Sequence, residues 1–309
     1  MQFKKKIFII SILVVILLLV TSTLIIAQDN KLIVLHTNDI HGRIVDDDGI
    51  MGMPYLSSVF KDYHSNYDNV LILDAGDTIH GRPITDQLEG ESTVKLMNEV
   101  GYTAMVPGNH DFNFGYQRLL ELEEMMEFDL IAANVIKEEE LLFDPYLIKE
   151  LAGYRVAIFA LATSDTYSTT HPDNVKGIDF ADTVETSQRY VDLLINEENA
   201  DFIIALTHIG LRGTTEIAES VSGIDLIVDG HSHDLLTSGE KVADTMIVQA
   251  NEYTKYLGRV EITLNEASKE IEASVLSAAE VKDNYQPDPE IEALLDEFGE
   301  RLTAIMLGL

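Results

Sequence analysis

The sequence predicts an α/β fold. From Lys31 onward, short apolar runs alternate with amphipathic segments of helical spacing, the pattern of strands connected through helices. Five of the apolar runs deliver Asp, Asn or His at their carboxyl ends. Hydrophobic residues make up 46% of a 309-residue chain, so a sizeable core is available and disorder is not the default.

Leu32–Leu35 reads as the first strand, Met53–His64 as a helix and Val70–Leu73 as the second strand. Helical spacing then runs over Thr85–Val100. The short strand Ala104–Val106 stops at Pro107-Gly108, a strong breaker. Phe114–Met126 is helical, with Leu119, Leu122 and Met126 on one face, and Leu130–Ala133 is again strand-like. Tyr146–Leu151 and Arg155–Leu161 form a hairpin around Ala152-Gly153. A helix over Thr183–Glu198 precedes two strands, Phe202–Leu206 and Ile224–Val228, separated by a short helix over Thr214–Val221. After Ser238 the character turns to β, with antiparallel strands expected over Thr245–Ala250, Tyr256–Leu264 and Glu270–Leu276. Pro287-Asp288-Pro289 opens a last helix. There is no internal repeat, and one catalytic-size domain is the economical reading.

The first residues stand apart. Lys4-Lys5-Lys6 precede an apolar run from Ile7 to Val20, then Leu24–Ala27. A basic start, an apolar run and a small residue read as a secretory signal cut near Ala27. The alternative is an uncleaved anchor, which needs about 20 apolar residues. Either way the remainder is expected outside the cytoplasm, secreted, periplasmic or held at the cell surface. The expected organisation is a signal or anchor over 1–27, a catalytic domain over 28–285 and a C-terminal helix over 286–309.

The net charge is −32, and every acidic residue lies beyond Ala27. Such a surface repels nucleic-acid polymers and anionic membranes. A small phosphate ester is repelled too, unless local cations reverse the field. There is no cysteine, which excludes thiolate metal sites and a lipidated cysteine anchor. Any metal must be held by His, Asn and carboxylates.

Those residue types are gathered at the strand ends. Asp39 and His41, two apart, can reach one cation, and the two oxygens of Asp77 can bridge two. Asn109 offers an amide oxygen and His208 an imidazole; His231 and His233 can feed two neighbouring ions. Such nitrogen and oxygen donors suit Mn, Zn, Fe, Co or Ni rather than calcium. In open α/β sheets ligands gather at the carboxyl ends of strands, and all seven residues obey that rule. Two ions side by side would make a shared water a nucleophile at neutral pH and grip phosphoryl oxygens. His110 is then free to donate to the leaving oxygen or the equatorial oxygens.

At Asn38-Asp39-Ile40-His41-Gly42, Asp74-Ala75-Gly76-Asp77, Gly108-Asn109-His110-Asp111-Phe112, Thr207-His208 and Gly230-His231-Ser232-His233 the chain resembles the 5′-nucleotidase family of calcineurin-like metallophosphoesterases. Ala132–Val135 and Tyr256–Arg259 resemble it as well. The resemblance runs over roughly residues 30–285. It implies a four-layer α/β/β/α sandwich of two mixed sheets. It also implies one ion on Asp39, His41, Asp77 and His233, a second on Asp77, Asn109, His208 and His231, and His110 as the catalytic histidine. The chain departs from the family pattern at Asn113, where an aspartate usually orients and charges that histidine. An amide accepting from His110 brings no charge, so lower activity or a lower pH optimum is expected. Complete family members also carry a second domain that clamps the base, and Pro287–Leu309 resembles the helix leading to it.

Of the other histidines, His36, His64 and His171 are expected to be structural or superficial, and His80 to sit behind the site. Arg43 and Arg82 either steady a phosphate or pair surface carboxylates. Tyr253 and Tyr256 are expected to be packing residues. The function expected is a metallophosphatase on nucleotides or small phosphate esters. The competitors are a diesterase on cyclic or diester nucleotides and a metal-bearing half that needs a partner chain with the nucleotide-binding domain.

Overall fold

A computed structural model describes residues 31–309 apart from Glu266 and Ala267. The expected signal or anchor, residues 1–27, lies outside the described residues. Among the described residues no helix is long and apolar enough to cross a membrane.

The strands follow the chain in order. β1 (Lys31–Thr37), β2 (Val70–Asp74), β3 (Ala104–Met105) and β4 (Asp129–Leu130) run parallel, side by side. β5 (Val135–Lys137) and β6 (Glu140–Leu141) begin a small separate sheet. β7 (Tyr146–Leu151) and β8 (Tyr154–Ala162) form the expected hairpin, with Ala152 and Gly153 both at positive φ. β9 (Ile178–Phe180) completes the small sheet. β10 (Phe202–His208), β11 (Leu226–Asp229), β12 (Glu240–Val242) and β13 (Thr245–Val248) extend the hairpin into a second sheet. β14 (Tyr256–Asn265) and β15 (Ser268–Ser277) return to the first. The two six-stranded sheets are ordered β15-β14-β1-β2-β3-β4 and β12-β13-β11-β10-β8-β7.

Alternation along the strands builds the layers, because successive side chains leave opposite faces. On β1, Leu32 and Val34 enter the core between the sheets, while Ile33 and Leu35 face an outer helical layer. On β10, Phe202, Ile204 and Leu206 enter the same middle core, and Ile203 and Ala205 face the opposite helical layer. With both faces covered, the central strands read as unbroken apolar runs rather than alternating ones. The α/β/β/α sandwich is therefore observed.

Three expectations are corrected. The Thr245 strand is antiparallel to β12, as expected, but parallel to β11 on its other edge; β-rich character does not reveal direction. Helical spacing over Thr85–Val100 is split into Pro83–Asp86 and Glu91–Val100, because Gly90 between them is left-handed at φ 83°. The Leu130–Ala133 run contributes only β4 and a single bridge from Ile131 to Asp144.

The C-terminal helix, Pro289–Leu307, packs Ile291, Leu295 and Phe298 into the first helical layer. Its N-cap is Asp288, which accepts from the Glu290 N–H, binds the Ser57 hydroxyl and lies 2.6 Å from Lys61 Nζ. Asp288→Ala removes a cap and leaves the buried Ser57 hydroxyl unpaired. It should lower unfolding stability by about 1–2 kcal/mol, read as a shift of the urea midpoint at constant slope.

His36 is fully buried on β1, and its Nδ1 has no hydrogen-bond partner among the described residues. A Cβ on Gly258 would lie 1.9 Å from its Nε2, so only glycine fits opposite it on β14. Burial lowers its pKa to about 3. Above about pH 6.5 both folded and unfolded states hold it neutral and it has no effect. Below that value the unfolded chain takes up the proton first, so stability falls as pH drops toward 3. A His36→Leu variant should show a shallower acid limb, by about 1 kcal/mol between pH 6 and 5, in pH-dependent urea titrations.

Candidate metal centre and active site

The carboxyl ends of β1, β2, β3, β10 and β11 meet at one edge of the sandwich, and all seven expected ligands follow or end these strands. Their backbones are unusual. Asp39, His41, Asp77, His231 and His233 have φ of 51°, 48°, 57°, 79° and 57°. L-residues pay about 1–3 kcal/mol for such conformations, which cluster where geometry serves function.

The donor atoms converge. His233 Nε2 lies 3.2 Å from Asp39 Oδ1, and His41 Nε2 lies 3.9 Å from Asp39 and 3.7 Å from Asp77 Oδ2. The same Asp77 oxygen lies 3.3 Å from His208 Nε2, which is also 3.3 Å from Asn109 Oδ1. His231 Nδ1 is 2.9 Å from the same Asn109 oxygen. Ligand atoms of Asp39, His41 and His233 lie within 4.8 Å of one another, as do those of Asp39, Asp77 and His208. Separations of this size suit donors arranged around a cation. A third such group joins His41, Asp77 and His110, so Asp77, like Asp39 and His41, belongs to two of the three.

The charges agree with this picture. Burial lowers the His208 pKa, but Asp77, Asp39 and the Ala75 carbonyl outweigh it and raise the value to about 10. Burial raises the Asp77 carboxyl, and the facing His208, His41 and His110 more than reverse it, leaving it well below the usual range. His41 is lowered to about 4, mainly by burial. Asp39 and Asp77 are both buried on this edge, and His41, His208 and His233 lie against them. The donor set fits divalent metal.

The outer nitrogens of three imidazoles are also held. His208 Nδ1 lies 2.6 Å from the Ala75 carbonyl, His233 Nδ1 2.6 Å from Glu252 and His231 Nε2 3.1 Å from Asp165. Such contacts fix which nitrogen faces a metal. Glu252 and Asp165 escaped the sequence reading because nothing local to them signals the role. Asp111 was quoted in a motif without a task. Its carboxylate accepts the N–H groups of Asp77, Thr78, Ile79 and Gly108 at 2.8–2.9 Å, tying the β2 loop to the β3 loop. The two loops touch so closely that a Cβ on Gly108 would lie 2.3 Å from Asp77 Oδ1.

His110 sits beside the cluster, and its backbone N–H donates to Asp77 Oδ1 at 2.7 Å. Asn113 Nδ2 lies 2.8 Å from His110 Nδ1 and 3.1 Å from His80 Nδ1, while its Oδ1 accepts from the Thr170 hydroxyl at 2.7 Å. The expectation that the amide accepts from His110 is therefore reversed. With the oxygen taken by Thr170, the amide NH2 donates to both Nδ1 atoms, leaving a proton for the far nitrogen of each ring. His80 stacks on His110, with ring centroids 6.0 Å apart, and itself lines the cleft rather than sitting behind it. His64 and His171 are exposed, as expected. Tyr253 corrects its packing assignment: it lines the cleft with its ring 5.6 Å from that of His41. Tyr256 begins β14.

Residues 32–235 match the calcineurin-like phosphoesterase family model. The chain belongs to this family. Calcineurin-like phosphoesterases are metal-dependent phosphoester hydrolases, and residues 32–235 carry that domain. The trifunctional nucleotide phosphoesterase protein YfkN of Bacillus subtilis is 33% identical over 310 residues, covering 88% of this chain and 21% of the relative. A 5′-nucleotidase of Vibrio cholerae is 32% identical, covering 75% and 48%. A solved 5′-nucleotidase precursor of Thermus thermophilus superposes with a TM-score of 0.77 at 27% identity, over 89% of this chain and 60% of that one. The calcineurin-like phosphoesterase structure of B. subtilis YfkN gives a TM-score of 0.77 at 23% identity, a likeness of fold, over 88% and 97%. The chain spans about half or less of the length of these two curated relatives.

Proposed function

We propose that the chain is a dinuclear phosphoester hydrolase acting on nucleotides or other small phosphate esters outside the cytoplasm. The observation that supports this reading is Asp77, whose Oδ2 lies 3.7 Å from His41 Nε2 and 3.3 Å from His208 Nε2, so that it belongs to two of the candidate ligand groups. Asp39, His41, Asp77 and His233 would hold one divalent ion. Asp77, Asn109, His208 and His231 would hold the other. Mn, Zn, Co, Fe and Ni all suit these donors. Bound ions supply a water nucleophile at neutral pH and offset charge building on the phosphoryl oxygens.

The chain itself does the rest. His110, oriented from behind by Asn113, donates to the ester oxygen as the bond to phosphorus breaks. Thr170 holds Asn113 in the orientation that leaves that proton on the cleft side. The open cleft of about 500 Å³, lined by His41, Asp77, Asn109, His110, His231 and His233 among others, admits a small ester. The surrounding negative charge disfavours a nucleic-acid polymer. Nucleotide substrates are supported by the names of the relatives, and the extracytoplasmic site of action by the N-terminal sequence.

Two narrower readings remain within reach of one experiment. A diesterase needs the ions but less of a base clamp. A half that requires a separate nucleotide-binding domain is favoured by the 48% share of the V. cholerae enzyme that is matched. Phosphate release is measured with the full chain, stripped of metal and reloaded with manganese, on AMP, an aryl phosphomonoester and an aryl diester. Faster monoester turnover supports the reading above, and faster diester turnover replaces it with the diesterase. Absence of turnover despite bound metal points to a requirement for a partner chain.

A further inference from the structure

An apolar hollow of about 370 Å³ lies against the metal cleft, and the two share a wall. His41 and Gly81 line the cleft side, Gly42 and Arg82 line the hollow, and Arg43 lines both. The hollow is walled by Val45, Ile50, Pro83, Ile84 and Leu302, the last from the C-terminal helix. Its volume falls within the range of sites for small organic ligands.

The wall is cationic in a strongly anionic protein. Arg43 donates through Nη1 to the His41 carbonyl at 2.9 Å, and its guanidinium lies 3.3 Å from the Tyr253 ring centroid. That fixes the group at the mouth of the cleft. Burial, and to a lesser degree the charge of Arg82, lower the Arg43 pKa against the raising effect of Tyr253 and Glu252, and both arginines line the hollow. Neither guanidinium has an ion-pair partner among the described residues. Two adjacent unpaired arginines in a chain of net charge −32 are placed for an anion, and the metal cleft beside them is where a phosphoryl group goes. The hollow is also lined by Asp46, whose Oδ2 lies 3.6 Å from Lys282 Nζ, and by Asp47, whose Oδ1 accepts the Asp48 N–H. The second oxygen of Asp47 can accept a hydrogen bond from a hydroxyl or amino group.

Resting on the proposed hydrolase, we propose that this hollow seats the organic group of the ester. It takes a nucleoside-sized, uncharged group bearing hydrogen-bond donors, with Arg43 and Arg82 gripping the phosphoryl at the threshold. The chain would thus hold a substrate-selective surface on the metal-bearing body itself, made by the loop after β1, the turn after Gly81 and the C-terminal helix.

The test uses adenosine and inorganic phosphate as separate probes, titrated into the metal-loaded full chain by calorimetry. Neither probe is hydrolysed, so the result does not depend on turnover. Adenosine is expected to bind. Leu302→Trp and Ile84→Trp fill the hollow and should weaken adenosine about tenfold more than they weaken phosphate. Arg82→Glu should weaken phosphate more than adenosine. Circular dichroism selects the variants that remain folded, and two hollow-filling positions guard against failure of one. Absent adenosine binding at millimolar concentration, or equal losses of both probes in the Trp variants, overturns the proposal. Adenosine binding without any ester turnover would instead uphold it and sink the hydrolase assignment.

Discussion

Asp77→Ala is expected to reduce metal-dependent phosphate release by roughly 10³-fold or more while the chain stays folded. The size follows from position. Asp77 Oδ2 is 3.7 Å from His41 and 3.3 Å from His208, so one substitution takes a donor from both proposed ions. The same carboxylate receives the His110 N–H, and its loss frees the turn that carries the candidate acid. Initial rates of phosphate release, with metal content measured on the same samples, check this. Turnover within tenfold of the parent protein would remove Asp77 from the centre of the mechanism.

Asp111→Asn is expected to cost about 3 kcal/mol or more of unfolding stability, without touching a ligand. The Asp111 carboxylate accepts four buried backbone N–H groups. An amide presents one oxygen to them and turns an NH2 toward the others, so donors face donors. Because these N–H groups belong to the loops bearing Asp77 and Asn109, manganese affinity should fall together with stability. Urea unfolding and a metal titration read the two effects. A stability loss below about 1 kcal/mol would mean that the loops are held elsewhere.

Much of the arrangement could be read from the sequence because its signal is local. An apolar run that ends in a turn with Asp or His announces both strand and ligand, and β1 with Asp39 and His41, or β11 with His231 and His233, needed little more. The layer order came with the family resemblance. Partners distant in sequence could not be read. Glu252 reaches His233 and Asp165 reaches His231 only after the sheets have formed. Asn113 was noticed, but its orientation depends on the Thr170 hydroxyl, 57 residues away. The direction of β13 depends on where it docks, on the far side of β11, and a short apolar run carries no record of that. Arg43 was left between two roles because its partner, Tyr253, arrives from a loop after β13.

The left-handed backbones at five candidate ligands suggest how the site is kept in shape. The fold holds conformations that L-residues avoid, through the Asp111 bonds and the hydrogen bonds of the Asp39, Asp77 and Gly42 backbones across β1 and β2 loops. Rigid loops of this kind set ligands before a cation arrives, which favours binding through a smaller ordering cost.

Whether two ions share Asp77 is tested most directly by electron paramagnetic resonance of the manganese-loaded full chain. Two manganese ions per chain with an exchange-coupled spectrum, lost in Asp77→Ala, is the result expected. One ion per chain, or two ions with the spectrum of isolated manganese, would contradict a shared Asp77.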